Sequence, residues 1–355
     1  MITLLLVIIA ISILILVHEW GHFYAARRLG VKVEEFGIGF PPRLLSTIRN
    51  GVRYSINALP FGGFVKIFGE QGEGEDSPES FISRPVWQRF IILAAGVGMN
   101  FVLAWVFFTG AAFAGLPDVQ TGQGKDVPVS IIAVSPGSPA EAAGIHFGDE
   151  ILELHAADIS LRVETEDDVR NFIAAYRGEK ITLVIRRGQE VKEVSAMPRV
   201  SAPNGEGPLG IAMARLVLVH IPWYQAPIEG SKMLARGVSA TVSGFAFLIR
   251  DVFSKGVKNA SVSGPVGIFF FARDTRSLGL SYFLQFVGML SVNLGVLNFL
   301  PIPALDGGRI FFLVIEKIRG SRIRPSTEGM IHTAGFLLLI LLIAAVTYND
   351  IAKIL

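Results

Sequence analysis

The chain has 355 residues, of which 51% are hydrophobic and 17% are charged, and it contains no cysteine. Soluble domains usually carry about 25% charged residues, so a mean hydropathy of +0.52 indicates several membrane spans joined by soluble segments. The formal net charge of +2, without any block of Lys and Arg, argues against a nucleic-acid partner. The absence of cysteine excludes disulfides and thiolate metal ligands, so any metal must be held by histidine and carboxylate.

Four segments have the length and apolarity of membrane-spanning helices. They cover roughly residues 2–24, 90–116, 282–300 and 331–348. The first segment runs directly into His18 and Glu19, and no signal-peptidase cleavage pattern follows it. We therefore expect a retained membrane helix and not a cleaved signal peptide.

Basic residues are concentrated between the first and second spans and between the third and fourth spans. By the positive-inside rule, both of these segments should face the cytoplasm. Both termini and the long stretch between the second and third spans would then lie outside. That stretch also carries basic residues, but large domains cross the membrane largely regardless of their charge.

The long external stretch contains one predicted α+β domain at residues 127–200. The runs "VSIIAV", "DEILELHAADI", "KITLVIRRG" and "QEVKEVSAM" predict strands, because they are apolar or alternate in polarity. The run "TEDDVRNFIAAYRG" predicts a helix with Thr165 as its N-cap and Gly178 after its end. Residues 201–281 predict a polar linker and an amphipathic segment on the outer membrane surface. The membrane core is thereby divided between residues 1–116 and residues 282–355.

Residues 18–22, His-Glu-Trp-Gly-His, form an H-E-x-x-H motif at the end of the first apolar run. Side chains four residues apart share one face of a helix, so His18 and His22 could reach one metal ion. Glu19 beside them could take a proton from water. Zinc suits two imidazoles and a carboxylate with one open position. The alternative is a polar patch that caps the helix, but unpaired ionisable groups within a span are rare and usually functional.

The segment "NFLPIPALDGGRI" offers Asp306 as a third ligand. Pro301 and Pro303 fit poorly inside a helix, so they should break the third span at membrane depth and bring Asp306 inward. The alternative is a solvated aspartate at a helix terminus. The remaining histidines have no ligand spacing to a partner and are interpreted as ordinary residues: His146, His155, His220 and His332.

With both motifs considered together, the chain resembles the site-2 protease family of intramembrane zinc metalloproteases, and in particular its bacterial RseP-type branch. The resemblance covers nearly the whole chain. It includes an N-x-x-P-x-P-x-L-D-G pattern at residues 298–307 and an external segment, "VSPGSPAEAAGIHFGDEILELHAADI", that looks like a single PDZ domain. The resemblance implies that His18, His22 and Asp306 bind Zn²⁺ and that Glu19 activates the attacking water.

The resemblance also implies supporting roles for other residues. Asn298 would lie near the substrate or the developing oxyanion. The stretches "EFGIGFPPRLLS" and "ALPFGGFVKIFG", the second of which contains Gly62 and Gly63, look like membrane-associated β-elements that offer an edge to an unwound substrate. Ordinary Gly-rich hairpins in a cytoplasmic loop are the alternative.

The second span contains Gly-Val-Gly-Met-Asn at residues 96–100, which resembles a G-P-x-x-N pattern of the family. Val97 replaces the proline of that pattern. Asn100 is therefore a candidate substrate-binding or oxyanion residue, with helix packing through Gly96 and Gly98 as an equal alternative.

The expected fold is an α-helical polytopic membrane protein of four spans with membrane-associated β-elements, joined to an extracytoplasmic α+β PDZ domain. The resemblance implies an intramembrane zinc endopeptidase of the bacterial inner membrane, with its active site toward the cytoplasm. Its substrates would be single-span membrane proteins of the anti-sigma factor or remnant signal peptide type. The PDZ domain would bind peptide or protein ends, or exclude large ectodomains.

Two alternatives belong to other functional classes. A membrane metal transporter would need ligands along a path through several spans, whereas here they are concentrated at one level. A catalytically inactive PDZ scaffold would be expected to have lost Glu19 or one of the three ligands, and all four residues are present.

Overall fold

A computed structural model of the protein describes residues 2–119, 127–135, 137–203, 206–219, 221–255, 272 and 279–352. The chain divides into two compact units. Unit 1 comprises Met1–Thr109, Pro227–Phe270 and Gln285–Leu355, and unit 2 comprises Gly110–Ala226 and Phe271–Leu284. Some predictions fall outside the described residues, namely those for Pro136 of the PDZ-like stretch, for His220, and for residues 204–205, 256–271 and 273–278 of the segment 201–281.

Helices and strands both contribute to the described part of the chain. The helices are α1 (Ile2–Arg28), α2 (Val86–Ala114), α3 (Pro139–Ala142), α4 (Glu166–Ala175), α5 (Ala226–Lys255), α6 (Leu280–Phe299), α7 (Asp306–Arg319) and α8 (Pro325–Ala352). The strands are β1 (Val33–Arg49), β2 (Val52–Ile67), β3 (Leu116–Val119), β4 (Val129–Val134), β5 (Glu150–Ala156), β6 (Ile159–Arg162), β7 (Ile181–Arg187), β8 (Glu190–Ala196) and β9 (Ile211–Val219).

Within the described ranges, four helices are long and apolar enough to cross a membrane. They are Leu5–Arg28 in α1, Val86–Ala114, Leu280–Phe299, and Ser326–Tyr348 in α8. These helices correspond to the four segments predicted from apolarity, so that prediction is confirmed. The first helix ends at a left-handed Gly30, with φ of 73°, and the Val31 N–H donates back to the Ala26 carbonyl at 2.9 Å. This arrangement satisfies one of the last helical carbonyls and turns the chain into β1.

The strands β1 and β2 fold back on themselves, so two continuous strands make a sheet four segments wide. Residues 33–38 of β1 pair antiparallel with residues 63–67 of β2 on one side. On the other side they pair with residues 53–56, where the two segments run in the same direction. The second half of β1, residues 43–49, then pairs with the first half of β2. Residues 63–67 consequently form one edge of this sheet.

An ion pair between the buried Glu35 carboxylate and the exposed Arg43 side chain spans the fold-back of β1. The Glu35 carboxylate accepts hydrogen bonds from Arg43 Nη2 at 2.8 and 3.0 Å, although the two residues are eight positions apart on one strand. A straight strand would separate them by about 26 Å. Gly39 lies between them with φ of 76°, a backbone conformation that favours glycine.

The second half of β2 runs beside α1 within unit 1. Ser12 Oγ donates to the Pro60 carbonyl at 3.0 Å and accepts from the Gly62 N–H at 3.4 Å. At Gly63, a Cβ would lie 2.7 Å from the Leu16 side chain, so glycine permits this approach. The two Gly-rich stretches are thus β-elements, as the resemblance implied. Their use by a substrate remains a prediction.

Helix α5 packs against α2 and α6 in unit 1. Trp105 Nε1 of α2 donates to the Pro227 carbonyl at 3.2 Å and to Ser231 Oγ at 3.0 Å. Thr241 Oγ1 donates to Asn293 Oδ1 of α6 at 2.7 Å. Sequence analysis anticipated an amphipathic segment here but not these partners, and the location of α5 at the membrane surface remains a prediction.

Unit 2 contains an antiparallel sheet of seven strands in the order β3-β9-β4-β5-β7-β8, with β6 paired to β5. The strand predictions are confirmed for β4, β5, β7 and β8, whereas β6 was not predicted. Strand β9 lies between β3 and β4, so the sheet continues past the predicted domain boundary at residue 200. The Gly- and Pro-containing linker before β9 suggested a boundary, whereas long-range pairing brings β9 back into the sheet.

Helix α4 covers this sheet and begins as predicted. Thr165 is its N-cap, and its Oγ1 accepts from the Asp168 N–H at 3.2 Å while Asp168 Oδ2 accepts from the Thr165 N–H at 2.8 Å. This reciprocal capping box satisfies two backbone donors. The buried side chains of Val169, Phe172 and Ile173 join the apolar core of the unit. The unit is an α+β domain, and its identity as a PDZ domain remains a prediction.

Candidate metal centre

The two histidines of the H-E-x-x-H motif lie on one buried face of α1. His18 and His22 are each 6% exposed, and their Nε2 atoms are 3.2 Å apart. The four-residue spacing brings the two rings together, because one helical turn is 3.6 residues.

A glycine of α2 makes room for these rings. A Cβ at Gly96 would overlap the His22 ring and lie 2.9 Å from His18 Cε1. Gly98, which follows on the same helix, has no atom within 4 Å of its ideal Cβ position. Sequence analysis grouped both glycines as helix-packing residues, and of the two only Gly96 is in close contact.

The break after α6 brings Asp306 to the histidines. Helix α6 stops at Phe299, Pro301 and Pro303 follow in an irregular segment, and α7 begins at Asp306. The predicted helix break is therefore confirmed. Gly307 is required by the tight turn, because a Cβ there would overlap the backbone of Phe299.

Three ligand atoms converge at the centre of unit 1. Asp306 Oδ2 lies 3.0 Å from His18 Nε2 and 3.2 Å from His22 Nε2. In a tetrahedral zinc site with bonds of about 2.0–2.1 Å, ligand atoms are about 3.3 Å apart. Asp306 Oδ2 is buried and has no hydrogen-bond partner of suitable geometry among the described residues, as expected of an atom positioned for a cation. Two imidazoles and a carboxylate at these spacings fit a zinc ion.

Hydrogen bonds from surrounding residues orient both imidazoles. His22 Nδ1 donates to the Ile92 carbonyl at 2.8 Å, which leaves its Nε2 with the free lone pair. The buried Asn100 amide lies against His18, with Nδ2 3.1 Å from His18 Nδ1. Asn100 Oδ1 has no partner among the described residues, and a half-turn of the amide would let it accept from His18 Nδ1–H. This location favours an orienting role for Asn100.

Glu19 lies beside the ligands and contacts the edge of β2. Its Oε2 accepts a hydrogen bond from the Val65 N–H at 3.0 Å. Glu19, His22 and Asp306 line one cavity of about 390 Å³, together with residues of β2, α7 and α8. A cavity of this volume has room for several water molecules next to the Glu19 carboxylate.

The other predicted site residues lie at different distances from this centre. Asn298 Nδ2 is 3.4 Å from His18 Nε2, so the structure brings Asn298 to the ligand cluster. Gly62 and Gly63 lie on the part of β2 that runs beside α1, two to three residues before Val65. Their described contacts are with Ser12 and Leu16 of α1 and not with the ligand atoms.

His332, interpreted from the sequence as an ordinary histidine, lies in the wall of the same cavity. Its Nδ1 accepts a hydrogen bond from the Ala304 N–H at 2.9 Å, in the segment just before Asp306. In the sequence, only the three-residue spacing of His332 and Gly335, which puts both on one face of α8, could have pointed to this contact. The spacing does not show that the segment before Asp306 packs against that face.

Comparisons with known proteins agree with this geometry. The sequence matches peptidase family M50 over residues 6–342. It is 36% identical over 345 residues to a Clostridium perfringens protein that carries a provisional zinc metalloprotease name, and the match covers 97% of each chain. It is 29% identical over 435 residues to the zinc metalloprotease RasP of Shouchella clausii, with 99% of each chain covered. A Rickettsia conorii protein with a provisional zinc metalloprotease name is 32% identical over 361 residues, with 98% of each chain covered.

Proposed function

The chain belongs to peptidase family M50, the site-2 protease family of zinc metalloproteases, and we propose that it hydrolyses peptide bonds in or near the transmembrane segments of single-span membrane proteins. The observation that carries the proposal is the convergence of His18, His22 and Asp306 at spacings of 3.0–3.2 Å. These three residues would hold Zn²⁺, with Glu19 next to them as the acid–base group.

We assign separate roles in the reaction to Glu19, Asn298 and Asn100. When bound, zinc polarises the scissile carbonyl and lowers the pKa of water. Glu19 takes the proton of the attacking water and delivers it to the leaving amine. Asn298, 3.4 Å from His18 Nε2, is close enough to the cluster to donate a hydrogen bond to the developing oxyanion. Asn100 holds His18 in the orientation that keeps Nε2 toward the centre.

The edge of β2 is the candidate binding site for the substrate backbone. A helical substrate hides its peptide bonds, so cleavage requires local unwinding, and addition to a strand edge replaces the lost hydrogen bonds. The Val65 N–H is an outward donor on this edge, and it contacts Glu19 at 3.0 Å. A substrate strand that paired here would lie directly beside the acid–base group, and it would compete with Glu19 for Val65.

The proposed setting is a bacterial inner membrane, with several helices in the lipid bilayer. We place the centre toward the cytoplasmic side, both termini outside, and the α+β domain outside as a PDZ domain that contacts peptide or protein ends. The concentration of basic residues in the segments after α1 and after α6 supports this orientation. Substrates of the anti-sigma factor or remnant signal peptide type are consistent with a site at membrane depth.

The two alternatives fit less well. A metal transporter would place ligands along a path, whereas these three ligand atoms all lie within 4.8 Å of one another. An inactive scaffold has no need for the acid–base group, and Glu19 is retained beside the ligands.

Glu19→Gln tests the proposal. A tagged single-span membrane protein with a shortened ectodomain would be expressed together with the wild type or a variant, and the released fragment quantified. We expect Glu19→Gln to lower cleavage by about 10²-fold or more while it retains zinc, because Gln cannot transfer the proton. Glu179→Gln, at an exposed position in unit 2, is the control and should cleave normally. Undiminished cleavage by Glu19→Gln would refute the assigned role.

A further inference from the structure

The segment that carries Asp306 has an unusual backbone. Ala304, two residues before Asp306, has φ of 77°, in the left-handed region that residues with a side chain rarely adopt. Leu305 follows as the N-cap of α7 and makes no side-chain capping bond. A turn bond from the Leu305 N–H to the Ile302 carbonyl, at 3.2 Å, closes the segment locally, and contacts from elsewhere in unit 1 add to this constraint on Ala304.

Helix α8 supplies one such contact through His332. The Ala304 N–H donates to His332 Nδ1 at 2.9 Å, and the His332 side chain is only 15% exposed. The bond fixes the peptide plane of the left-handed residue itself. The His332 ring is in turn packed against Phe312 of α7, with ring centroids 5.6 Å apart.

Gly335 gives α8 a second contact on the same segment. A Cβ at Gly335 would overlap the Pro303 side chain and lie 2.9 Å from both the carbonyl carbon and the carbonyl oxygen of Pro303. His332 and Gly335 are three residues apart and therefore share one helix face. One face of α8 thus holds Pro303 by close packing and Ala304 by a hydrogen bond.

We propose that His332, assisted by the close approach at Gly335, is a positioning residue for Asp306. It would act through Ala304 and would not itself be a metal ligand. By locking the Pro303–Leu305 segment in its left-handed turn, the α8 face keeps Asp306 Oδ2 at the distance from the two imidazoles that coordination requires. The proposal rests on the proposed role of Asp306 as a zinc ligand.

Two matched pairs of variants in the full-length protein test this proposal. His332→Asn keeps a hydrogen-bond acceptor near the position of Nδ1, whereas His332→Leu has the same branching as Asn, and about the volume of His, but no acceptor. Gly335→Ala adds a methyl group against Pro303, whereas Gly329→Ala adds one to the same helix where no atom lies within 4 Å. The readout is the rate of zinc loss from detergent-purified protein to excess EDTA.

We expect His332→Leu and Gly335→Ala to lose zinc about tenfold faster than the wild type, as is typical when groups that orient metal ligands are removed. His332→Asn and Gly329→Ala should stay within about twofold of the wild type. Cobalt substitution adds a spectroscopic readout, since a displaced Asp306 alters the visible absorption of the bound ion. Thermal unfolding of each variant separates this effect from a general loss of stability.

The possible failures are distinguishable. A wild type that holds one zinc, together with His332→Leu and Gly335→Ala variants that release it at the wild-type rate, would overturn this inference alone. Equal acceleration in His332→Asn and His332→Leu would also overturn it, because the acceptor would then be irrelevant. A wild type that binds no zinc would overturn the ligand assignment and this inference with it.

Discussion

Gly96 is the residue of α2 that sets how closely the imidazoles approach the helix. A Cβ added at Gly96 would overlap the His22 ring. One turn earlier on α2, the Ile92 carbonyl accepts a hydrogen bond from His22 Nδ1. The same face of α2 therefore provides both the space and the hydrogen bond. Gly96 serves helix packing as well, because a Cβ at Gly21 of α1 would lie only 2.9 Å from Gly96 Cα.

Gly96→Ala tests this at the residue scale. The added methyl must displace His22 or push α2 away, so we expect a large loss of bound zinc, about tenfold or more in affinity. Gly98→Ala is the matched control, because its methyl group would meet no atom within 4 Å. Zinc affinity by chelator competition measures both variants. Similar affinities for the two variants would contradict the assigned role of Gly96.

Sequence analysis predicted the residues of the centre that depend on local chemistry. The four-residue spacing of His18 and His22 follows from the geometry of one helix, and Pro301 and Pro303 indicated the break that frees Asp306. The contacts of Asn100 and His332 could not be predicted in this way. Each depends on which segment lies opposite its helix, and that is a property of tertiary packing.

At the scale of elements, the sheet of β1 and β2 likewise combines features that the sequence predicts with pairings that it does not. Gly-rich apolar stretches predicted β-elements, but not that residues 33–38 would pair on both sides with one strand. The fold-back is spanned by an ion pair of Glu35 and Arg43, which are eight residues apart and match no local strand signature. It leaves residues 63–67 as an edge beside α1, where Val65 meets Glu19.

The capping box of α4 provides a prediction at the element scale. Asp168 Oδ2 accepts from the Thr165 and Glu164 N–H groups at 2.8 and 3.0 Å. Asp168→Ala should destabilise α4 by about 1 kcal/mol, which corresponds to roughly fivefold faster hydrogen exchange of its amides. Asp167→Ala, which removes only the exposed pair with Arg170, should have little effect. Equal exchange rates in the two variants would contradict the account of this cap.

The same cap should depend on pH. Burial raises the pKa of Asp168, but hydrogen bonds from the Thr165 and Glu164 backbone outweigh burial and lower it. A carboxyl whose pKa is lower in the folded state contributes stability above its ordinary pKa and loses it as the pH falls through the lowered value. Protection of the α4 amides should therefore fall in acid in the wild type and not in Asp168→Ala.

At the scale of the whole molecule, apolarity and charge predicted four spans and a separate α+β domain, and the four helices are confirmed. The extent of the sheet in unit 2 was not predicted, because β9 joins it across the linker that precedes residue 211. Orientation in the membrane depends on the distribution of basic residues and remains a prediction.

Cysteine labelling can test that orientation, because the chain has no cysteine and every introduced thiol is unique. Asp158→Cys places a thiol on an exposed turn of unit 2, and Asp76→Cys places one on an exposed loop after β2. With a membrane-impermeant maleimide, Asp158→Cys should react in intact spheroplasts, and Asp76→Cys should react only after lysis. The reverse pattern would contradict the proposed topology.

The central claim is that α1 and the start of α7 meet at one zinc ion, and metal content tests it most directly. Protein purified in mild detergent without chelator would be analysed by elemental mass spectrometry for the wild type, His22→Ala and Asp306→Ala. We predict about one zinc per wild-type chain and a marked loss in both variants, since each removes one of three protein ligands. A folded wild type without zinc, or an Asp306→Ala variant with full zinc content, would contradict the claim.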